Sequence, residues 1–109
     1  MASELVQQQQ KFAKMLGELL CHIYATGYQV TLGEVWRTPE QAELNAKKGV
    51  GIKNSLHCSR LAVDLNFWLN GELVPTPEAI GEWWEEQGGC YGGRFGDSPH
   101  FSLGYGGRK

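Results

Sequence analysis

Leu61-Ala62-Val63-Asp64-Leu65-Asn66-Phe67 alternates without a break: Leu61, Val63, Leu65 and Phe67 on one side, Ala62, Asp64 and Asn66 on the other. A period of two marks a β-strand with one face on a core. Asn70-Gly71 follows as a strong hairpin signal, and Glu72-Leu73-Val74 returns as the second strand. The polar side of the first strand carries an aspartate, a residue that strands disfavour and that burial penalises unless it is partnered.

Working outward, helices flank this hairpin. Leu5, Phe12, Met15, Leu16, Leu19, Leu20 and Ile23 recur mainly at three- and four-residue steps, which predicts an amphipathic helix from Glu4 to about Tyr24. Ser3 is its expected N-cap and Gly27 marks its end. Tyr28 to Trp36 reads as a strand with Tyr28, Val30 and Leu32 alternating. Thr38-Pro39-Glu40-Gln41 then starts a short helix, with Thr38 as cap, Pro39 first and Gln41 completing a capping box. That helix should run to about Lys48 and stop at Gly49, leaving Gly49 to Ser59 as a loop that carries His57. Thr76-Pro77-Glu78 starts a last helix, ended by Gly88-Gly89. A glycine-rich loop and a short strand near His100 to Leu103 follow.

At 109 residues the chain is expected to form one domain, 1–109. Its apolar share of 41% and charged share of 20% argue against disorder. Glycine is the outlier, 15 of 109 against a usual share of about 7%, and most of it lies beyond Gly81, so the last third should be turn-rich. A net charge of −2 gives no electrostatic reason to expect nucleic acid as a partner. Lys47, Lys48 and Lys53 form only a small cluster around a glycine loop, which reads as solvated. The opening residues have neither a secretory signal pattern nor a transmembrane run, so the expectation is synthesis in the cytoplasm without stable membrane insertion. Cys21, Cys58 and Cys90 are an odd number and suit reduced thiols.

Chemistry concentrates in two short stretches: His57 with Asp64, and Asp97 with His100. Two histidines and a carboxylate can hold zinc with its fourth position open, and a further carboxylate nearby can carry protons. Zinc ligands lie only about 3 Å from one another. His57 and Asp64 are seven apart, about 10 Å along a helix and on opposite faces of one straight strand, so neither element alone serves. Asp64 on the strand, with His57 on a preceding loop folded back over it, does serve. Pro99 discourages a regular helix between Asp97 and His100. A turn there brings His100 to the sheet and aims Asp97 at the same cavity.

Blander alternatives exist for each residue. A lone histidine is more often a surface or core residue than a ligand, and His22 beside Cys21 lacks a matching partner. The cysteines show no Cys-x-x-Cys or finger-like pairing, which argues against a structural zinc site. A His57/Cys58 nucleophilic pair fails because adjacent side chains on an extended chain point apart; Cys58 suits a small hydrophobe's role.

Taken together, these residues resemble the zinc D-Ala-D-Ala carboxypeptidase and L-alanyl-D-glutamate endopeptidase family, whose members include phage endolysins. Its pattern is Ser-x-His, six residues, Asp, then Asp/Glu-x-x-His with an aromatic after it. Here that is Ser55, His57, Asp64, Asp97, His100 and Phe101, with Ala62 and the lead-in Gly92–Phe95 also matching. Arg60 departs from the pattern, standing where many members have glycine. The resemblance spans about Val35 to Leu103.

It implies an α+β fold of the Hedgehog/DD-peptidase kind, a small antiparallel sheet with helices mainly on one side. His57, Asp64 and His100 would be zinc ligands and Asp97 the general base. Arg37 would steady the substrate or the developing oxyanion, a role that suits a fixed cation; the alternative is an arginine paired with a surface carboxylate. Ser55 either orients substrate or caps its loop.

The implied activity is hydrolysis of an amide in the peptidoglycan stem peptide by a monomeric lysin that acts at the wall after release. The alternatives are a D-Ala-D-Ala carboxypeptidase or dipeptidase, and an inactive zinc-containing binding module.

Overall fold

The computed structural model describes residues 3–49 and 55–109. The fold is α+β: three helices and one small antiparallel sheet of five strands. Helix α1, Glu4–Ala25, is capped as expected, Ser3 Oγ accepting from the Val6 N–H at 3.2 Å. Phe12, Met15, Leu19 and Ile23, spaced by three and four, form its buried stripe. Gly27 then reverses the chain at φ +97°.

Strand β1, Gln29–Leu32, is shorter than the alternation of Tyr28 to Trp36 predicts. Its ladder with β2, Ala62–Leu69, runs from Gln29↔Trp68 to Leu32↔Leu65 and then breaks. At the break Gly33 donates to the Asp64 carbonyl at 2.8 Å, while the Asp64 N–H goes on to the Glu34 carbonyl at 3.0 Å. Two residues thus face one, as in a β-bulge, which bends the strand and re-aims its side chains. Gly33 fits closely there: a Cβ would sit 3.2 Å from Asp64 Cβ and 3.3 Å from its carbonyl oxygen, so a larger residue would have to push the bulge by a few tenths of an ångström.

Helix α2, Pro39–Lys47, begins at Thr38, whose Oγ1 accepts from the Gln41 N–H at 3.0 Å. The reciprocal half of the expected capping box is replaced by a Gln41-to-Asn45 side-chain bond of 2.6 Å. Positions 50–54, with Gly51, Lys53 and Asn54 of the predicted loop, lie outside the described residues.

The hairpin stands as predicted. Asn70 and Gly71 both take positive φ, 52° and 79°, and join β2 to β3, Glu72–Val74. Helix α3, Glu78–Glu86, starts within Thr76-Pro77-Glu78 as expected; Pro77 holds the cap position and makes no side-chain bond. Strand β4, Cys90–Tyr91, carries no sequence signal, and β5, His100–Ser102, completes a sheet ordered β1-β2-β5-β4 with β3 on β2.

The core lies on the face of β2 that carries Val63, Leu65 and Phe67, each at most 1% exposed. Helices α1 and α3 close over it. Trp84 of α3 meets Phe12 edge-on at 6.1 Å and Phe101 at 6.2 Å, and its Nε1–H donates to the Ser102 carbonyl at 3.0 Å. The polar face of β2, with Asp64, is thereby left on the side away from these helices. Among the described residues no helix is long and apolar enough to cross a membrane, and Cys21, Cys58 and Cys90 are free thiols.

Candidate metal centre

Strand pairing sets two of the three candidate ligands. Asp64 of β2 lies directly opposite His100 of β5, and residues so paired share a face. The neighbouring pair, Val63↔Phe101, points the other way into the core. The third ligand comes from a 3-10 turn, Leu56–Ser59, that folds the chain back over β2. Buried Leu56 anchors this turn, Ser55 Oγ accepts from the His57 N–H at 3.2 Å, and Leu61 N–H returns to the Leu56 carbonyl at 3.0 Å. Arg60 leads out of the turn in the left-handed region, φ 57° and ψ 37°. That conformation is one that glycine takes without steric cost and other residues seldom adopt.

His57 Nε2, Asp64 Oδ1 and His100 Nδ1 converge. Nε2 to Oδ1 is 3.3 Å, Nδ1 to Oδ1 is 3.7 Å, and the two imidazole nitrogens are 3.3 Å apart. Two bonds near 2.0 Å at a tetrahedral angle end about 3.3 Å apart, so the triangle has the edges that a zinc-sized ion asks for. His57 is 3% exposed and His100 5%, while the Asp64 side chain is 28% exposed, which leaves an approach from solvent.

Among the described residues, buried Asp64 Oδ1 has no hydrogen bond of good geometry. An acceptor oxygen so placed, facing two imidazole nitrogens, fits a shared cation better than it fits a core. Burial by itself pushes the Asp64 carboxyl up, but the imidazoles of His100 and His57 beside it outweigh burial and hold it far below the ordinary carboxylate range. The group is therefore anionic, as a metal ligand must be. These three residues could hold a metal ion.

Asp97 stands beside the triad and outside it. Its Oδ2 is 3.9 Å from His100 Nδ1, beyond hydrogen-bond length, and the side chain is 54% exposed. Its backbone is tied down, Asp97 N–H to the Gly92 carbonyl at 2.8 Å and His100 N–H to the Asp97 carbonyl at 3.0 Å. Gly92 makes this closeness feasible, since a Cβ there would fall 2.1 Å from the Asp97 carbonyl oxygen.

Ser55 is 4% exposed and spends its hydroxyl as the cap of the His57 turn. Arg37 donates its backbone N–H to the His57 carbonyl at 3.3 Å and pairs through Nη2 with Glu34 Oε1 at 2.5 Å. Its Nε is buried and has no hydrogen-bond partner among the described residues.

Glu34 is the site residue that the sequence reading missed. Its Oε1 lies 3.5 Å from His57 Nδ1, the ring nitrogen turned away from Asp64. The available signal was Gly33, because a glycine interrupting a strand pattern marks a bulge or a close backbone approach.

His22 stays apart from the site, stacked on Trp83 with ring centroids 4.2 Å apart. Cys58, half-buried, turns its Sγ toward the Thr38 carbonyl. Among the described residues no cysteine joins the ligand group. Compared with known proteins, the chain matches no family model and no curated protein.

Proposed function

We propose that this chain is a zinc-dependent peptidase that hydrolyses an amide of the peptidoglycan stem peptide, most closely an L-alanyl-D-glutamate endopeptidase of the lysin type. The observation that carries the reading is the convergence of three ligand atoms within 4.8 Å on a solvent-facing side of the sheet, with a second carboxylate, Asp97, beside them. The Ser55-x-His57…Asp64…Asp97-x-x-His100 pattern points the same way.

When bound, zinc supplies a Lewis acid that polarises a carbonyl and brings the pKa of water toward about 7. Asp97 acts as general base: half open to solvent, it takes a proton from the attacking water and passes it to the leaving amine. Arg37, with donors not used by Glu34, steadies the substrate or the oxyanion. His57, Asp64 and His100 hold the ion, and Ser55 keeps the His57 turn in shape.

The test is digestion of purified peptidoglycan by zinc-loaded and chelator-treated protein, with mass spectrometry of the fragments. Chelator-sensitive cleavage between L-Ala and D-Glu is the expected result. Release of terminal D-Ala would favour the carboxypeptidase instead, and no cleavage with zinc bound one-to-one would leave an inactive binding module. Asp97→Ala should retain zinc and lose turnover by about 10²–10⁴-fold, the usual contribution of a positioned acid–base group; turnover near wild type would remove Asp97 as the base.

A further inference from the structure

We infer that Glu34 is a positioning residue: it accepts the Nδ1–H of His57 and so turns Nε2 of the same ring onto the metal. This rests on the metal-site part of the proposed function and not on the identity of the substrate.

The two nitrogens of His57 face different partners. Nε2 looks at Asp64 Oδ1 and His100 Nδ1, both at 3.3 Å. Nδ1 looks at Glu34 Oε1 at 3.5 Å. His57 Nδ1 and Glu34 Oε1 are both buried; among the described residues Nδ1 has no other hydrogen-bond partner, while Oε1 is also held by Arg37 Nη2. A buried ring nitrogen whose facing acceptor is an anchored carboxylate oxygen forms a pair with it. Glu34 is not a fourth ligand, because it sits on the ring nitrogen opposite the one that faces the triad.

Several backbone features place Glu34 there. The bulge at Gly33–Glu34 breaks the β1 alternation beside Asp64. Gly33 N–H on the Asp64 carbonyl, Asp64 N–H on the Glu34 carbonyl and Arg37 N–H on the His57 carbonyl tie residues 33–37 to both ligand segments. Arg37, its side chain 15% exposed, then fixes the Glu34 carboxylate through Nη2. The result is a chain Arg37–Glu34–His57 that ends at the metal face. A histidine that ligates through one nitrogen needs its proton on the other, and a carboxylate acceptor there sets the tautomer and the ring orientation.

Zinc affinity of the full-length chain, measured by competition with a chromophoric chelator, tests this together with the imidazole ¹⁵N spectrum of the metal-free protein. Glu34→Ala should weaken zinc binding by about 10–100-fold, the usual effect of losing such an outer partner. Glu34→Gln, which keeps an acceptor oxygen, should recover most of that loss. Metal-free wild type should show His57 protonated at Nδ1, and Glu34→Ala should show a mixture of tautomers.

Zinc affinity of Glu34→Ala within twofold of wild type would overturn the assignment and leave the metal centre standing. Wild type without zinc affinity would remove the centre itself. If Glu34→Ala does not fold, the wild-type spectrum still decides: His57 protonated at Nε2 overturns the role.

Discussion

The two faces of β2 belong to one strand and work in opposite directions. Toward α1 and α3, Val63, Leu65 and Phe67 are fully enclosed by apolar partners, and burial there stabilises the fold. Toward the other side, Asp64 gathers polar groups whose hydrogen bonding is incomplete. Six buried side-chain polar atoms lack a hydrogen bond among the described residues; five of them, on Glu34, Arg37, His57, Asp64 and His100, belong to this face or the bulge beside it. A buried polar atom left without any partner costs about 1–3 kcal/mol, so this face is the less stabilising of the two.

The largest effect should come from breaking the first face. Trp84→Ala removes the ring that joins α3 to Phe12 and Phe101 and should cost about 3–5 kcal/mol in urea denaturation of the metal-free protein. His100→Ala should cost much less in the same experiment. Its effect should appear on adding zinc, which at a hundred times its Kd stabilises a binding protein by about 2.7 kcal/mol and should leave this variant unmoved. A Trp84 variant within 1 kcal/mol of wild type, or a His100 variant whose melting still rises with zinc, would break the contrast between the faces.

A smaller effect sits where the His57 turn feeds β2. Arg60 occupies the left-handed region and stacks its guanidinium on Trp36, 4.8 Å from the ring centroid. Arg60→Ala and Arg60→Gly both lose that stack, but only glycine relieves the backbone. The glycine variant should therefore be the more stable of the two by about 1 kcal/mol. Equal stability in thermal denaturation would mean that the turn does not require the left-handed residue.

The smallest effect is expected at the outer edge of the helical side, where Arg94 grips Glu85 through two nitrogens at 2.6–3.2 Å and reaches Glu78 at 3.0 Å. Arg94 holds the Glu85 carboxyl below its ordinary 4.5. A carboxylate with a depressed folded pKa contributes stability above its unfolded value, and the contribution fades as pH falls through the folded one. The gap in melting temperature between wild type and Arg94→Ala should be slight at pH 7, shrink below pH 4.5, and weaken with salt. A gap that stays the same however far the pH is lowered would assign the loss to packing by the arginine stem.

What was legible in the sequence was local. The alternation of Leu61 to Phe67, the Asn70-Gly71 turn, the stripe of α1 and the Thr38 cap each lie within a few residues of the atoms they organise. The triad was legible because its residue types are costly in a sheet and their order constrains how they can meet. Strand β4 was not, since two residues have no period, and neither was Glu34, whose partner lies 23 positions on and whose aim depends on a bulge.

The Asp64↔His100 pairing has one more consequence, which concerns error. A slip of β5 by one residue would carry His100 to the helical side and bring Phe101, now 0% exposed, onto the polar one. Such a slip exposes a large ring and buries an imidazole among apolar groups, so it is rejected before any ligand geometry is tested. The aromatic on one side of the strand thus proofreads the spacing of the candidate ligands on the other, and the distance between Asp64 and His100 is guarded by a residue that lies outside their cluster.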